Sequence, residues 1–275
     1  MPEGDTIFRA AAALHRALAG SVVTRFETAL AHIARVDDDH RIAGRTVERC
    51  ESVGKHLLIW FSGELALRTH MRMSGSWHLY RPGERWQRSP RAMRVRIDTE
   101  TWVAIAFNVP VAEFLTAREV PRSRALRNLG PDLLAADVDR EEALTRLRAT
   151  GDRAIGDVLL DQRVVAGIGN VFRNEVLFLC GLHPDRPASS LPPEAFDAIL
   201  DTAIPLMRAN TGPAATTEIV TYRGLRRTTR RASPEDNLWV YGRVGKPCRK
   251  CGTPISAGKR GWDVRATYWC GGCQR

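Results

Sequence analysis

Cys248-Arg-Lys-Cys251 and, eighteen residues further on, Cys270-Gly-Gly-Cys273 decide how the last fifth of this chain folds. Two C-x-x-C pairs at that separation are the signature of a four-thiolate zinc site. Each pair sits on a tight turn, and two turns brought together offer four sulfurs in a tetrahedron. The expectation is one structural Zn²⁺ per chain, ligated by Cys248, Cys251, Cys270 and Cys273, holding two short hairpins from Trp239 onward. The same block is dense in arginine and lysine. Thirteen Lys/Arg against three Asp/Glu lie between Arg223 and Arg275, a balance equal to the net charge of +10 of the whole 275-residue chain. Such a concentration reads as a nucleic-acid-facing surface, with an anionic membrane surface as the weaker reading.

Upstream of the finger, Gly212–Asn237 is rich in Thr, Arg and Gly and reads as a mobile loop. Before it the periodicity is helical, with helices expected over Asp139–Ala149, Ala154–Leu160, Asn170–Cys180 and Pro193–Asn210. The pattern changes at Gly130-Pro131-Asp132. Ahead of that break run short strand-like segments: Ser21–Phe26, Thr46–Val53, His56–Phe61, Leu65–His70, Ser76–Tyr80, Arg94–Asp98 and Trp102–Phe107, with Gly63-Glu64 and Thr99-Glu100 as turns. That spacing predicts an antiparallel sandwich or barrel. A first helix, capped by Asp5 or Thr6 and stopped by Gly20, places Ile7, Ala11, Leu14 and Leu18 on one stripe that docks on a core.

Composition sets further bounds. No apolar run approaches the eighteen or so residues that span a bilayer, and the acidic opening Met-Pro-Glu-Gly-Asp-Thr is unlike a signal peptide. Four of the six cysteines stand in metal spacing, leaving Cys50 and Cys180 isolated. That usage fits a reducing cytoplasm rather than a disulfide framework.

The chemistry-bearing candidates lie at both ends. Removal of Met1 leaves Pro2 as a free secondary amine, and an α-amine titrates near ~7.7–8, so a useful fraction is neutral and nucleophilic at neutral pH. Attack on a sugar C1′ or another masked carbonyl gives an iminium, an electron sink, and the adjacent Glu3 can serve as general acid and base. The plainer alternative is an ordinary Met-Pro start with a glutamate near a helix dipole. Lys55, in Gly54-Lys55-His56, is either a phosphate ligand or a solvated turn lysine. Gly167 and Gly169, in Ala166-Gly167-Ile168-Gly169-Asn170, either serve a tight interhelical turn or let backbone approach a ligand. In the second case Asn170 opens a helix whose first amides suit a phosphate. Arg265, five residues before Cys270, either grips a phosphate with its guanidinium fork or is one more surface charge.

Taken together, these segments closely resemble the bacterial formamidopyrimidine-DNA glycosylase and endonuclease VIII family of base-excision repair enzymes. The resemblance rests on Met1-Pro2-Glu3-Gly4, Gly54-Lys55-His56-Leu57-Leu58, Leu129-Gly130-Pro131-Asp132-Leu133-Leu134, Leu159-Leu160-Asp161-Gln162 through Gly169-Asn170, and Arg265-Ala-Thr-Tyr-Trp-Cys270-Gly-Gly-Cys273-Gln274. It implies an α+β, two-domain fold. An N-terminal antiparallel β-sandwich catalytic domain with flanking helices would span 1–127, followed by a linker over 128–138. A helix–two-turn–helix domain would occupy 139–238 and the zinc-finger DNA-binding module 239–275, with DNA in a basic cleft. By resemblance Pro2 is the nucleophile and Glu3 its proton-transfer partner, while Lys55, Asn170 and Arg265 are phosphate clamps around an everted nucleotide, Lys55 and Arg265 belonging also to the catalytic set. The activity implied is removal of an oxidised base followed by β,δ-elimination at the abasic site, on damaged DNA, by a monomeric, cytoplasmic, nucleoid-associated enzyme.

Within the family, Pro-Glu-Gly resembles the endonuclease VIII branch. The Arg-Arg-Phe insertion of the formamidopyrimidine branch is missing from Asn108-Val-Pro-Val-Ala-Glu-Phe114, so oxidised pyrimidines are favoured over 8-oxoguanine. The gap opposite an everted base would fall to Met71-Arg72-Met73-Ser74, with Met73 as wedge and Arg72 either contacting the orphan base or solvated. His70, just before this turn, either contacts a phosphate or packs as a strand end. Thr6 stands where the family usually has a glutamate; Asp5 replaces that carboxylate, or Thr6 only caps the helix. The rival reading is a catalytically weak or inactive damage-sensing DNA-binding protein of the same fold; a generic zinc-ribbon adaptor accounts only for the C-terminus.

Overall fold

The computed structural model describes residues 2–212, 219–222, 234–261 and 264–275. Most of the expected loop over Gly212–Asn237 lies outside the described residues. The chain forms two compact units, one of residues 1–2 and 6–128, the other of residues 3–5 and 129–275.

Two four-stranded antiparallel sheets build the first unit. β1 (Arg25–Thr28), β6 (Met93–Asp98), β7 (Val103–Phe107) and β5 (Ser76–Tyr80) form one, in that order. β2 (Val47–Val53), β3 (His56–Phe61), β4 (Leu65–His70) and β8 (Val111–Thr116) form the other. Strand alternation explains their shared core. Leu57, Ile59 and Phe61 of β3 and Ala104 and Ala106 of β7 join one cluster, with Ile7, Leu14 and Leu18 of α1 (Gly4–Leu18) and Ile33 of α2 (Ala31–His40). The alternate residues are buried too. Leu58 and Trp60 pack with Val120 and Leu126, the latter from the short helix α3 (Arg124–Arg127), whereas Val103, Ile105 and Phe107 pack with Tyr80 and Trp86. Both strands therefore read as continuous apolar runs.

The sandwich is as the sequence predicted, with four departures. The first strand lies at Arg25–Thr28, and the expected Ser21–Phe26 segment contributes only an isolated bridge, Val22 to Thr46. Helix α2 was not legible: Ile33 is its single buried residue, it lacks a side-chain cap, and its acidic run sits at the C-terminal end where the helix dipole disfavours it. Strand β8 follows Pro110 and pairs with β4 along Leu65–His70. Helix α1 begins at Gly4, so Asp5 and Thr6 lie inside its first turn and neither precedes it as a cap.

The second unit is helical around α4 (Arg140–Arg148), α5 (Ile155–Val158), α6 (Asn170–Leu179) and α7 (Pro193–Ala209). It ends in a two-stranded hairpin of β9 (Ile255–Arg260) and β10 (Arg265–Cys270). Phe178, near the end of α6, packs against Val240, Cys248, Ile255 and Cys270, so the hairpin shares a core with the helix.

Candidate active site and nucleic-acid-binding residues

Glu3 is 1 % exposed and its carboxylate sits on the start of α6. Oε2 accepts hydrogen bonds from the amides of Gly169 (3.1 Å) and Phe172 (3.2 Å), and Oε1 from that of Val171 (2.7 Å). These amides have no intrahelical acceptor, and the helix dipole adds to their attraction for an anion. Two glycines make the approach feasible. A methyl group on Gly169 would lie 2.2 Å from the Glu3 carboxylate carbon, and one on Gly4 would lie 2.8 Å from the Gly167 Cα. The Gly4 amide donates to the Gly167 carbonyl at 2.9 Å, and Gly167 has a φ of +104°. The helix start offered by the sequence to a phosphate is thus occupied from within: Glu3 takes those amides, and the glycines serve that contact. Pro2, half-buried, immediately precedes Glu3.

One face of α6 fastens strand β10. The Asn170 side-chain amide donates to the Ala266 carbonyl at 2.9 Å. Arg173, 1 % exposed, directs Nη2 at the Asn170 Oδ1 (2.5 Å), the Thr267 hydroxyl (2.8 Å) and the Ala266 carbonyl (3.2 Å). Asn174 Oδ1 accepts from the Tyr268 amide at 2.7 Å. Arg265, half-buried, opens that strand. Tyr241 also hydrogen-bonds Asn170, and burial pushes its hydroxyl pKa above the ordinary value despite that bond. Glu175, fully buried, accepts from the amides of Trp239 (2.7 Å), Val240 (3.0 Å) and Tyr241 (2.9 Å) and so ties the entry to the finger onto the same helix. Arg173, Asn174 and Glu175 did not stand out in the sequence. Their signal is a run of polar side chains in the middle of a helix whose neighbours Phe172, Val176 and Leu177 are core residues.

In the first unit, Lys55 occupies the turn between β2 and β3. The next residue, His56, faces His70 edge-on with ring centres 4.8 Å apart. Arg68 Nη1 donates to His56 Nδ1 at 2.8 Å and its Nε pairs with Glu113 at 2.6 Å. His70 Nδ1 accepts from the Arg72 amide at 3.1 Å, bracing a turn in which Arg72 has a φ of +46°. Burial first, then the neighbouring His70 and Arg68, hold the His56 pKa down at about 3. Burial first, then Arg72, Lys55 and Arg68, hold His70 at about 4. Both rings are therefore neutral at physiological pH. Met73, at the tip, is 72 % exposed, whereas Met71 is buried.

The four cysteines of the finger gather as expected, their sulfurs all within 4.8 Å of one another. The Cys248–Cys273 and Cys251–Cys270 sulfurs are 3.8 and 3.4 Å apart. Zinc–sulfur bonds of about 2.3 Å in a tetrahedron require sulfur–sulfur edges of about 3.8 Å, so the donor set fits a tetrahedral metal ion.

Residues 1–110 match the model of the formamidopyrimidine-DNA glycosylase N-terminal domain, and residues 129–219 match that of the formamidopyrimidine-DNA glycosylase H2TH domain. A protein of Streptomyces coelicolor named probable endonuclease 8 2 is 42% identical, with 100% of this chain and 94% of that protein aligned. The chain belongs to the formamidopyrimidine-DNA glycosylase and endonuclease 8 family. Other members of this family matched include the DNA-(apurinic or apyrimidinic site) lyase Nei2 of Mycolicibacterium smegmatis, 36% identical over 100% of this chain and 99% of that one. The endonuclease 8 of Salmonella typhi is 31% identical over the full length of both. The family fold is seen in a crystal structure of the Lactococcus lactis glycosylase in complex with abasic-site DNA, with a TM-score of 0.83, 22% identity and full coverage of both chains.

Proposed function

We propose that this chain is a bifunctional DNA glycosylase and abasic-site lyase that acts through a Schiff base on Pro2, with oxidised pyrimidines as its preferred lesions. The observation that carries the reading is the seat of Glu3: a buried carboxylate, one residue after Pro2, held by three amides of α6. Relatives that align end to end bear the names endonuclease 8 and abasic-site lyase.

The base is flipped from the stack before any chemistry. The Pro2 nitrogen forms a bond to C1′, and the C1′–base bond breaks, the base leaving with its electron pair. Glu3 takes the amine proton and returns it to the ring oxygen as the C1′–O4′ bond opens, leaving an iminium on Pro2. The iminium acidifies C2′; loss of that proton expels the 3′ phosphate. A second proton loss, from C4′, expels the 5′ phosphate. Water then hydrolyses the iminium and frees Pro2. Lys55, Asn170 and Arg265 hold phosphates through these steps, Lys55 and Arg265 as members of the catalytic set whose positive charge offsets the charge that develops on the departing phosphates. His70, Arg72 and Met73 contact DNA beside the vacated position. Cys248, Cys251, Cys270 and Cys273 would hold one Zn²⁺, which supplies structural cohesion to the hairpin bearing Arg265. Among the described residues no helix is long and apolar enough to cross a membrane; we place the enzyme in the cytoplasm, with the nucleoid, as a monomer on damaged DNA.

Borohydride trapping tests this directly. The mature protein should be cross-linked to abasic-site and oxidised-pyrimidine oligonucleotides, with peptide mass spectrometry locating the adduct on Pro2. Tight DNA binding without any adduct would overturn the catalytic reading.

A further inference from the structure

The loop between β5 and β6 carries Arg81, Arg85, Arg88 and Arg91 against one acidic residue, Glu84, and Arg94 follows at the second position of β6. Among the described residues none of these five arginines is ion-paired, whereas Arg25, Arg49, Arg68 and Arg96 of the same unit each face a carboxylate. Five arginines within fourteen residues of chain, none facing a carboxylate, leave a local excess of positive charge, and such an excess attracts an anion. A cavity of about 540 Å³ opens within the loop, lined by residues 85–90. That volume lies in the range of ligand pockets, roughly 300–1,000 Å³.

The cavity is built on fixed supports. The Gln87 amide donates to the Tyr80 hydroxyl at 3.1 Å, and the Tyr80 ring is 1 % exposed. Trp86 packs edge-on against Phe107 with ring centres 5.8 Å apart, which leaves the indole half-buried at the cavity wall. Arg88 rests its Nε against His78 at 3.4 Å, while no polar partner engages the Arg85 side chain among the described residues. The Ser89 hydroxyl accepts from the Arg91 amide and Pro90 starts a short helical turn, so the rim is ordered too. An aromatic wall between two unneutralised arginines is what binds single-stranded nucleic acid: phosphates on the cations, a base on the ring.

We propose that this cavity is a second nucleic-acid subsite, which takes an unpaired nucleotide of single-stranded DNA, with the phosphates on either side of it on Arg85 and Arg88 and the base against Trp86. The inference rests on the reading of the chain as a DNA enzyme but uses no residue of the lesion-processing set. A duplex keeps its bases stacked and would engage the arginines alone. The subsite therefore gives the protein a grip on single-stranded or bubble regions that is separate from lesion recognition.

Fluorescence anisotropy with the full-length protein, a lesion-free single-stranded oligonucleotide and the matching duplex tests this across a salt series. The Arg85→Gln/Arg88→Gln variant should bind the single strand about tenfold more weakly, with a salt slope shallower by about 1.4, two phosphate contacts at about 0.7 each. Trp86→Leu should lose roughly five- to tenfold on the single strand and little on the duplex, and Trp86→Phe, which keeps a ring, should restore binding. Cleavage of an abasic-site duplex at saturating enzyme should stay at the wild-type rate in all three, which separates this subsite from the lesion-processing residues. Absence of that cleavage in the wild type would instead count against the proposed function, with the binding comparison still decisive for the subsite. Wild-type affinity and slope in the arginine variant, or equal losses on single strand and duplex in Trp86→Leu, would overturn the proposal.

Discussion

Gly169→Ala isolates the contact on which the chemistry depends. The backbone at Gly169, with φ −117° and ψ −164°, is extended and open to alanine, so the substitution carries no dihedral penalty. Its whole effect is steric. The new methyl would meet the Glu3 carboxylate carbon at 2.2 Å, Cγ at 2.4 Å and Oε1 at 2.6 Å, far inside van der Waals contact. The Glu3 side chain must leave, forfeiting three charge-assisted hydrogen bonds, or the α6 start must shift. Overpacking typically costs about 1–3 kcal/mol, and each charge-assisted bond lost adds about 1.5–3 kcal/mol before water replaces it. A net destabilisation of about 3 kcal/mol is expected, seen as a lowered unfolding midpoint of the second unit. Displacement of the proton-transfer group should slow base excision by about 10²–10³-fold, within the usual contribution of general acid–base catalysis. Trapping of Pro2 on a pre-formed abasic site, which needs no base departure, should fall far less. Single-turnover kinetics on oxidised-pyrimidine and abasic duplexes, beside calorimetry, read both effects. Wild-type base excision in a folded Gly169→Ala protein would mean that the α6-bound carboxylate is not the working one.

Arg173→Met should destabilise the second unit by about 2–3 kcal/mol, because the Asn170 Oδ1, the Ala266 carbonyl and the Thr267 hydroxyl lose a buried donor; denaturant titration with an unchanged midpoint would refute this. Arg265→Ala should weaken DNA binding with a salt slope shallower by about 0.9, one phosphate contact, and an unaltered slope would remove it from the clamps. Metal analysis should find one zinc per chain, and a chelator should melt the β9–β10 hairpin and abolish DNA binding; a hairpin intact to amide exchange without metal would contradict the assignment. The pH dependence follows from His56 and His70. Their folded pKa values, about 3 and 4, lie below the ordinary 6.5, so the unfolded chain binds more protons across that window. Stability of the first unit should be full above pH 6.5 and fall as the pH drops toward 4. His56→Gln should flatten that slope, and an identical slope would show that the pair does not titrate on unfolding.

The parts of this protein that were legible in its sequence were those written in local spacing. The cysteine pairs, the apolar runs of β3 and β7 and the stripe of α1 each announce themselves within a few residues. Helix α2 was hidden because its single buried anchor, Ile33, leaves no periodicity to detect. Strand β8 was hidden because Pro110 and the polar Glu113 interrupt its apolar pattern; Glu113 is there to meet Arg68 across the sheet. The use of the α6 amides stayed open in the sequence for a different reason. A helix start offers itself to any anion, and only the fold brings in a carboxylate from a residue far away in the chain. The buried trio Arg173, Asn174 and Glu175 likewise finds its partners in β10 and in the approach to the finger.

That placement of Glu3 bears on how the protein can be made and cut. The partners of Glu3 and Gly4 emerge from the ribosome after more than 160 further residues, so this segment waits for α6 before it can settle. The hairpin bearing Arg265 comes later still, and a nascent chain therefore lacks a complete set of reactive groups until β10 has been made. Division of the gene at the 128/129 boundary would not yield two whole parts either. A fragment beginning at Leu129 would keep α6 but expose its first amides, and a synthetic peptide with the sequence of the chain's opening residues is the missing piece.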